Sequence, residues 1–486
     1  MIKSNSFIKD ILTLSSVPLL SQILGLMLTP IVTRIYAPEA FGLLNSFSSI
    51  VGFLGVFSTL AYHSSILLPK KDNKAFDMFI VCIITTLSFT LLCLLLVLIF
   101  QNYILLKFNL PELRDYILLI PVFIFLHGLY QTLRFWNSRF KKFKIIAASK
   151  VGEVVTNKST VLTLGFSGYN TGVSLIYGVM FASIIKNTLL LLDFKKQTYR
   201  FTKISWFDIK SGLKRYIKFP KYSLWSELLS RTPALIIVFL ILKYFDSTVL
   251  GYYGLCIMVI TLPTVFITSS IMEAFSPRAA EAKHTNTHLD LLKLIYERVV
   301  SLTIFPFLIL GIYGDVLFGY FFGIEWAEAG LIAQILVFRI FCEIIFNPII
   351  SLTVIIEKQE INLIRRILDI TVITLSLLIG GYYQNYYLAF FILSFTQGLV
   401  TSFIGIYFMK IMKLEISEMI SKIKYYFILV FLFSIILISI KINLEISFIS
   451  LLLLLFILTI IYYSLVFRHD KLLFSKLKNI IINKKI

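Results

Sequence analysis

"FPKYSLWSELLSRTPALIIVFLIL", residues 219–242, decides the class of the molecule. Its second half is uninterrupted hydrocarbon, and the whole stretch is long enough to cross a bilayer, which takes about 20 apolar residues. Its first half holds Glu227 and Arg231. A charge at mid-bilayer costs about 2.5–3.5 kcal/mol on insertion scales. The i, i+4 spacing puts both charges on one helix face. A span that carries such a pair has a use for it.

Similar runs fill the rest of the chain. Of 486 residues, 58% are hydrophobic and only 15% are charged. The reading is an all-α polytopic membrane protein. Fourteen apolar runs are long enough to span, at roughly 11–33, 40–67, 78–101, 116–137, 147–165, 171–193, 220–243, 249–273, 295–318, 327–355, 363–381, 387–410, 424–442 and 447–467. The first is too long for the apolar region of a secretory signal, so it is expected to remain as a span.

The net charge of +20 could point to nucleic acid, but its distribution points to membrane topology. With the N-terminus in the cytoplasm, segments on that side hold about 33 Lys and Arg, and opposite loops hold about three, Arg34, Lys107 and Arg114. Both termini are therefore expected in the cytoplasm. The basic stretch 195–219, with Trp206 and Phe207, reads as an amphipathic linker on anionic lipid. It divides the chain into a six-helix bundle at 1–194, the linker at 195–219, a second six-helix bundle at 220–410, and two further helices with a basic tail at 411–486. A faint repeat supports the division. "YAPEAFGLL" (36–44) and "FDSTVLGYY" (245–253) each place a glycine six residues after an aromatic, at matching points of the two halves.

Enzyme chemistry finds little support. The histidines His63, His127, His284, His288 and His469 are scattered, and no HExxH, GxSxG or P-loop motif occurs. His284 and His288 have a metal-like spacing but no third ligand nearby. Cys82, Cys93, Cys256 and Cys342 lie in apolar runs and read as core residues. Neither metal nor cofactor is expected.

Charge inside spans is what remains. Arg134, Lys150, Lys186, Lys221 and Arg298 sit near span ends, where long side chains snorkel. Lys158, Arg231 and Arg339 lie too deep for that, and each has an acid about one turn away: Glu153, Glu227 and Glu343. These six residues are the candidate site. The cations would bind an anionic group such as a diphosphate, with the acids as counter-ions or coupling groups. The competing reading is structural glue between helices. Pro18, Pro30, Pro233, Pro263 and Pro348 lie in spans and would let helices bend.

Three stretches resemble a known family. "PIVTRIYAPEAFGLLNSFSSIVGFLGVF" looks like the signature of spans one and two of polysaccharide repeat-unit (O-antigen/capsule) flippases of the Wzx type. "LFGYFFGIEWAEAGLIAQIL" is similar to their turn before span ten, with Gly323, Glu325, Trp326, Ala329 and Gly330. "FWNSRFKKFKIIAASK" resembles their basic loop after span four. The resemblance implies the multidrug/oligosaccharidyl-lipid/polysaccharide exporter fold, two six-helix bundles facing each other in a V, here with two added C-terminal helices. It also implies alternating access, a substrate of oligosaccharide on undecaprenyl diphosphate, and a place in the bacterial inner membrane. Implied partners are that substrate, membrane lipid, and a polymerase and chain-length proteins of the same pathway, with no nucleic acid. Rivals are a drug/cation antiporter of the same superfamily, a lipid II or teichoic-precursor flippase, and a membrane glycan polymerase. The absence of a long external loop argues against the polymerase.

Overall fold

Each of the fourteen runs overlaps a helix among the residues that the computed structural model describes, which are 22–107, 114, 116–196, 206–261, 288–350, 359–412, 414–444 and 447–469. Pro18, Pro263, His284, the middle of the basic linker and the basic tail lie outside the described residues, as do the side chains of His288 and Pro348. The helices are α1 (Gln22–Ile35), α2 (Pro38–Leu54), α3 (Asp72–Lys107), α4 (Leu119–Arg139), α5 (Phe143–Phe166), α6 (Gly172–Lys196), α7 (Trp206–Arg215), α8 (Leu224–Tyr244) and α9 (Ser247–Thr261). They continue as α10 (His288–Phe322), α11 (Ala327–Ile350), α12 (Gln359–Tyr382), α13 (Tyr386–Ile411), α14 (Ile416–Asn443) and α15 (Phe448–His469).

Nine helices among the described residues are long and apolar enough to cross a membrane, and α1 and α9 are shorter apolar helices. The chain is a polytopic all-α membrane protein. Helices suit that solvent because each satisfies its own backbone polar groups. Their outward faces are hydrocarbon: Leu87, Leu91, Leu95 and Leu98 of α3 are all exposed at roughly one-turn intervals. The exception to the run pattern is α7. Its Ile209 is buried, while Trp206 and Phe207 are exposed together with Lys210, Lys214 and Arg215. Aromatic rings beside cations on one short helix suit a membrane interface.

The chain forms two compact units. The first comprises Met1–Val259, Gly319–Ala329 and Asp369–Ala389, so it includes α8 and α9. Its core holds Leu43, Phe47, Cys93, Val97, Phe123 and Ile124 in one cluster, and Tyr62, Met78, Leu133, Trp136 and Leu190 in another. The second comprises Ile260–Phe318, Gly330–Leu368 and Phe390–Ile486. There α14 and α15 dock on α10. Phe305 stacks on Tyr462 at 4.6 Å, Tyr313 donates to the Leu437 carbonyl at 2.9 Å, and Lys441 meets Asp315 at 2.9 Å.

The faint repeat becomes a contact within the first unit. A Cβ on Gly42 would stand 1.9 Å from the Ser247 carbonyl oxygen, and one on Gly251 would stand 1.9 Å from the Pro38 carbonyl oxygen. Each glycine lies four residues beyond the carbonyl that the other touches, so α2 and α9 cross with local two-fold symmetry. Thr248 donates to Glu39 at 2.9 Å beside the crossing, and Asn45 donates to the Leu250 carbonyl at 3.3 Å. The Gly323–Trp326 motif is also structural. Gly323, at φ 111°, turns the chain after α10. Trp326 is fully buried, packs edge-on against Phe41 and donates its indole N–H to the Thr33 carbonyl at 2.9 Å.

One expectation needs correction. The apolar run 40–67 is not one continuous helix, although its part up to Phe57 is long enough to cross a membrane. The helix α2 stops at Leu54, followed by 3-10 turns at Gly55–Phe57 and Tyr62–Leu67. Between them Leu60 and Ala61 adopt left-handed φ values of 48° and 61°, a conformation that is strained for residues with a side chain.

Candidate functional site

The break in α2 is braced by polar groups. Ser58 donates to the Gly55 carbonyl at 2.6 Å and Ser65 to the Tyr62 carbonyl at 2.7 Å. Arg139 of α4 spans its far end, donating to the carbonyls of Ile66 and Pro69 and to Asp72. These contacts satisfy backbone groups that a continuous helix would have bonded internally.

The braced turn carries His63, which is buried. Its Nδ1 lies 2.7 Å from the Thr59 hydroxyl, its ring packs on Phe135 at 4.8 Å, and its Nε2 lies 3.8 Å from the Glu227 carboxylate. Helix α8 reaches this point because Leu224 and Leu228 are buried against Val56, with Phe53 and Leu60 packed around them. The other side of that helical turn exposes Trp225, Ser226, Ser230 and Arg231.

Helix α4 closes the third side. His127, Gln131 and Arg134 follow at i, i+4 and i+7, one helical stripe. The His127 ring lies against Gly55, where a Cβ would meet it at 3.0 Å, and its Nε2 is 3.5 Å from the Gln131 amide. Arg134 is exposed, its guanidinium 5.5 Å from the centre of the Phe135 ring. The charge of Arg134 bears on His63, and that of Arg231 on His127. Within the first unit, then, three elements bring together two exposed guanidiniums, a half-buried carboxylate, two imidazoles and a side-chain amide. Such a set can hold an anion with several oxygens.

The structure distributes the six expected residues unevenly. Glu227 faces His63, and among the described residues Arg231 has no ion-pair partner. The pairing of Glu153 with Lys158 is replaced by two separate arrangements. Glu153 is held by Lys186, with Lys150 at 3.6 Å, and both ammoniums sit over the Tyr130 ring. Lys158 instead donates to the Thr29 hydroxyl of α1 at 3.2 Å. Only Arg339 and Glu343, in the second unit, pair as expected, at 2.9 Å; the Arg339 backbone N–H also donates to Ser394. The residues missed by sequence reasoning are His63, His127 and Gln131. The 127–131–134 stripe was the available signal for the last two. Among the described residues, no group of three or more His, Cys, Asp or Glu is arranged to hold a metal ion. All four cysteines are buried.

Residues 31–331 match the family described as polysaccharide biosynthesis protein. The chain belongs to that family. It is 28% identical over 143 residues to the teichuronic acid biosynthesis protein TuaB of Bacillus subtilis (strain 168), a match that spans 29% of each protein. Its fold is similar to that of a solved lipid II flippase MurJ in an inward closed conformation, with TM-score 0.72 and 15% identity over 94% of this chain and 99% of that one. A multidrug resistance MATE family transporter of the MOP superfamily, in an inward-facing conformation, shares the fold at TM-score 0.56 and 12% identity over 85% of this chain and 99% of that one.

Proposed function

We propose that this polysaccharide biosynthesis protein is a flippase. It moves oligosaccharide repeat units on undecaprenyl diphosphate from the cytoplasmic to the periplasmic leaflet of the bacterial inner membrane, by alternating access, for a surface polysaccharide such as O-antigen or capsule. It is a carrier and not an enzyme, organised as bundles at 1–194 and 220–410 joined by the linker 195–219, with 411–486 added. Both termini face the cytoplasm, on the strength of the Lys and Arg asymmetry. Polymerase and chain-length proteins would act downstream of it.

The observation that carries this reading is Arg231, an exposed guanidinium that forms no ion pair among the described residues, on a span of a polysaccharide biosynthesis protein. A planar fork of N–H donors fits a diphosphate bidentately. In this proposal Lys158 and Arg339 are further substrate-binding cations, and Glu227, Glu343 and Glu153 are their counter-ions or coupling groups. A drug/cation antiporter shares the fold, but a cation substrate would be repelled by exposed Arg134 and Arg231. The match to TuaB favours one second reading, a carrier-linked precursor of a teichuronic-type cell-wall glycan. That reading shares the diphosphate and changes only the sugars.

The test is deletion of the gene followed by lipid extraction. Carrier-linked repeat units should accumulate on the cytoplasmic side, and their sugars would separate the two readings. A normal carrier-lipid profile with lost resistance to a cationic drug would overturn both. Impermeant thiol labelling of a cysteine at position 478 from outside would overturn the orientation.

A further inference from the structure

Helix α7 has two faces, and the protein covers one of them. Ile209 is buried in one cluster with Tyr62, Ile66 and Met78, and Leu213 and Tyr216 pack against it. The opposite face exposes Trp206, Phe207, Lys210, Lys214 and Arg215, with Lys218 following beyond the helix. We infer that this face docks on the head groups of anionic phospholipid, and that the lipid, by holding α7 in place, holds the strained turn that carries His63. The partner is the bilayer and not the cargo, so the inference stands apart from the flippase reading.

The cations decide the partner. Lys210, Lys214 and Lys218 follow one another at i, i+4, a spacing at which like charges destabilise a helix. Neither they nor Arg215 form an ion pair among the described residues. A helix of ten residues is too short to persist on its own, and of its described side chains only Ile209 is buried. Trp206 and Phe207 are 73% and 80% exposed. An anionic surface supplies what the docked face does not, since phosphates meet the cations and rings enter between the head groups. The position suits a bilayer as well. Three residues and one π-helical turn, Phe219–Ser223, join α7 to the span α8.

Two contacts carry the effect towards the candidate site. The Tyr62 hydroxyl donates to the Leu213 carbonyl at 3.3 Å. Gly212 lies so close to Met78 that a Cβ would stand 2.9 Å from its sulfur. Tyr62 opens the 3-10 turn whose next residue is His63, and it directly follows Leu60 and Ala61 with their left-handed φ values. Such conformations persist where the surrounding structure over-determines them. Leu60 packs both on the cluster that holds Ile209 of α7 and on the cluster that holds Leu224 and Leu228 of α8. Lifting α7 removes one of these two supports.

The experiment compares two bilayers. The protein is reconstituted in nanodiscs of zwitterionic phosphatidylcholine, with or without anionic phosphatidylglycerol, and treated with a small polar maleimide. Met78→Cys reports on the contact with α7 and Ser65→Cys on the turn, both at buried positions. The native Cys342, buried in the second unit, is the control. Both reporters should label about tenfold faster or more without phosphatidylglycerol, the scale of losing two cation–head-group contacts. In its presence, Lys210→Gln/Lys214→Gln/Lys218→Gln should label as fast as the reporters alone do without it. In zwitterionic discs the same triple substitution should change nothing, which separates attraction to lipid from a structural role of the lysines. Equal labelling of the reporters in the two bilayers overturns the inference. So does a triple substitution that speeds labelling in both, because the lysines would then serve the fold. If Met78→Cys responds and Ser65→Cys does not, the lipid docking is supported and the link to the turn is overturned. If Cys342 responds with them, the bilayer acts on the whole protein and the inference fails. Should Met78→Cys not fold, Leu213→Cys reports on the same contact from the α7 side.

Discussion

Two acid–arginine pairs share one spacing and end differently. Arg339 and Glu343 of α11 close on each other at 2.9 Å, with side chains 13% and 17% exposed. Glu227 and Arg231 of α8 have the same i, i+4 relation and form no close ion pair among the described residues, though Arg231 is the charge that bears on Glu227. Beside the first pair the Arg339 backbone N–H donates to Ser394 of α13. The second lies opposite a broken helix, where the His63 Nε2 stands 3.8 Å from the Glu227 carboxylate. Sequence spacing makes a pair possible; the neighbouring element decides whether it forms. The consequence is chemical. A closed pair is nearly neutral, whereas an open one leaves a cation available.

The largest effect should come from the open pair. Arg231→Ala is expected to abolish export of carrier-linked glycan, and Arg231→Lys to weaken it, because an ammonium cannot form the fork. Complementation of a deletion strain, read as accumulated carrier lipid, measures both. Full activity of Arg231→Ala would break the comparison, since an open guanidinium would then have no use.

Next comes the closed pair. Arg339→Ala leaves Glu343 without its partner in a half-buried position and should cost about 3–5 kcal/mol of stability. Arg339→Leu/Glu343→Leu should cost much less, since no lone charge remains. Thermal unfolding in detergent separates them. The double variant also sharpens the functional side: its export should fall if Arg339 serves the substrate as proposed, and persist if the pair is glue alone.

A smaller effect is expected where Lys186 and Lys150 share one carboxylate. Glu153→Gln leaves the two ammoniums facing each other over Tyr130, and the protein should lose about 1–3 kcal/mol in the same unfolding measurement. The smallest concerns the brace of His63. Thr59→Val removes one hydrogen bond, worth about 1 kcal/mol. The same unfolding measurement should show the smallest loss of the series. A loss as large as that of Glu153→Gln would show that the brace carries more than this one bond.

The helices were legible because hydrophobicity is a local property: a run long enough to span is visible without its neighbours. The break in α2 was not. "VGFLGVFSTLAYHSSILL" contains no proline, and its apolar residues continue through the interruption. Only the cluster of hydroxyls around His63 hints that backbone bonds there need outside partners. Pairings between helices were the least legible part. Glu153 and Lys186 stand 33 residues apart and Lys158 and Thr29 stand 129 apart, and no periodicity links such positions. The two arginines of the candidate site were visible as charge, Arg231 as too deep to snorkel and Arg134 as near a span end. Their shared neighbourhood emerged only from the packing of α4 and α8 against the broken end of α2.

The crossing of α2 and α9 also bears on ancestry. Were one half of this chain to pair with a second copy of itself about the same local axis, a single glycine codon would fill both seats. Duplication and fusion would then turn one codon into two, free to drift apart. In this chain they have not. Positions 42 and 251 both read Gly, while Pro38 and Ser247, which offer only a main-chain carbonyl to the contact, have become different residues. The crossing holds one letter fixed in each half and leaves its opposite number free to vary.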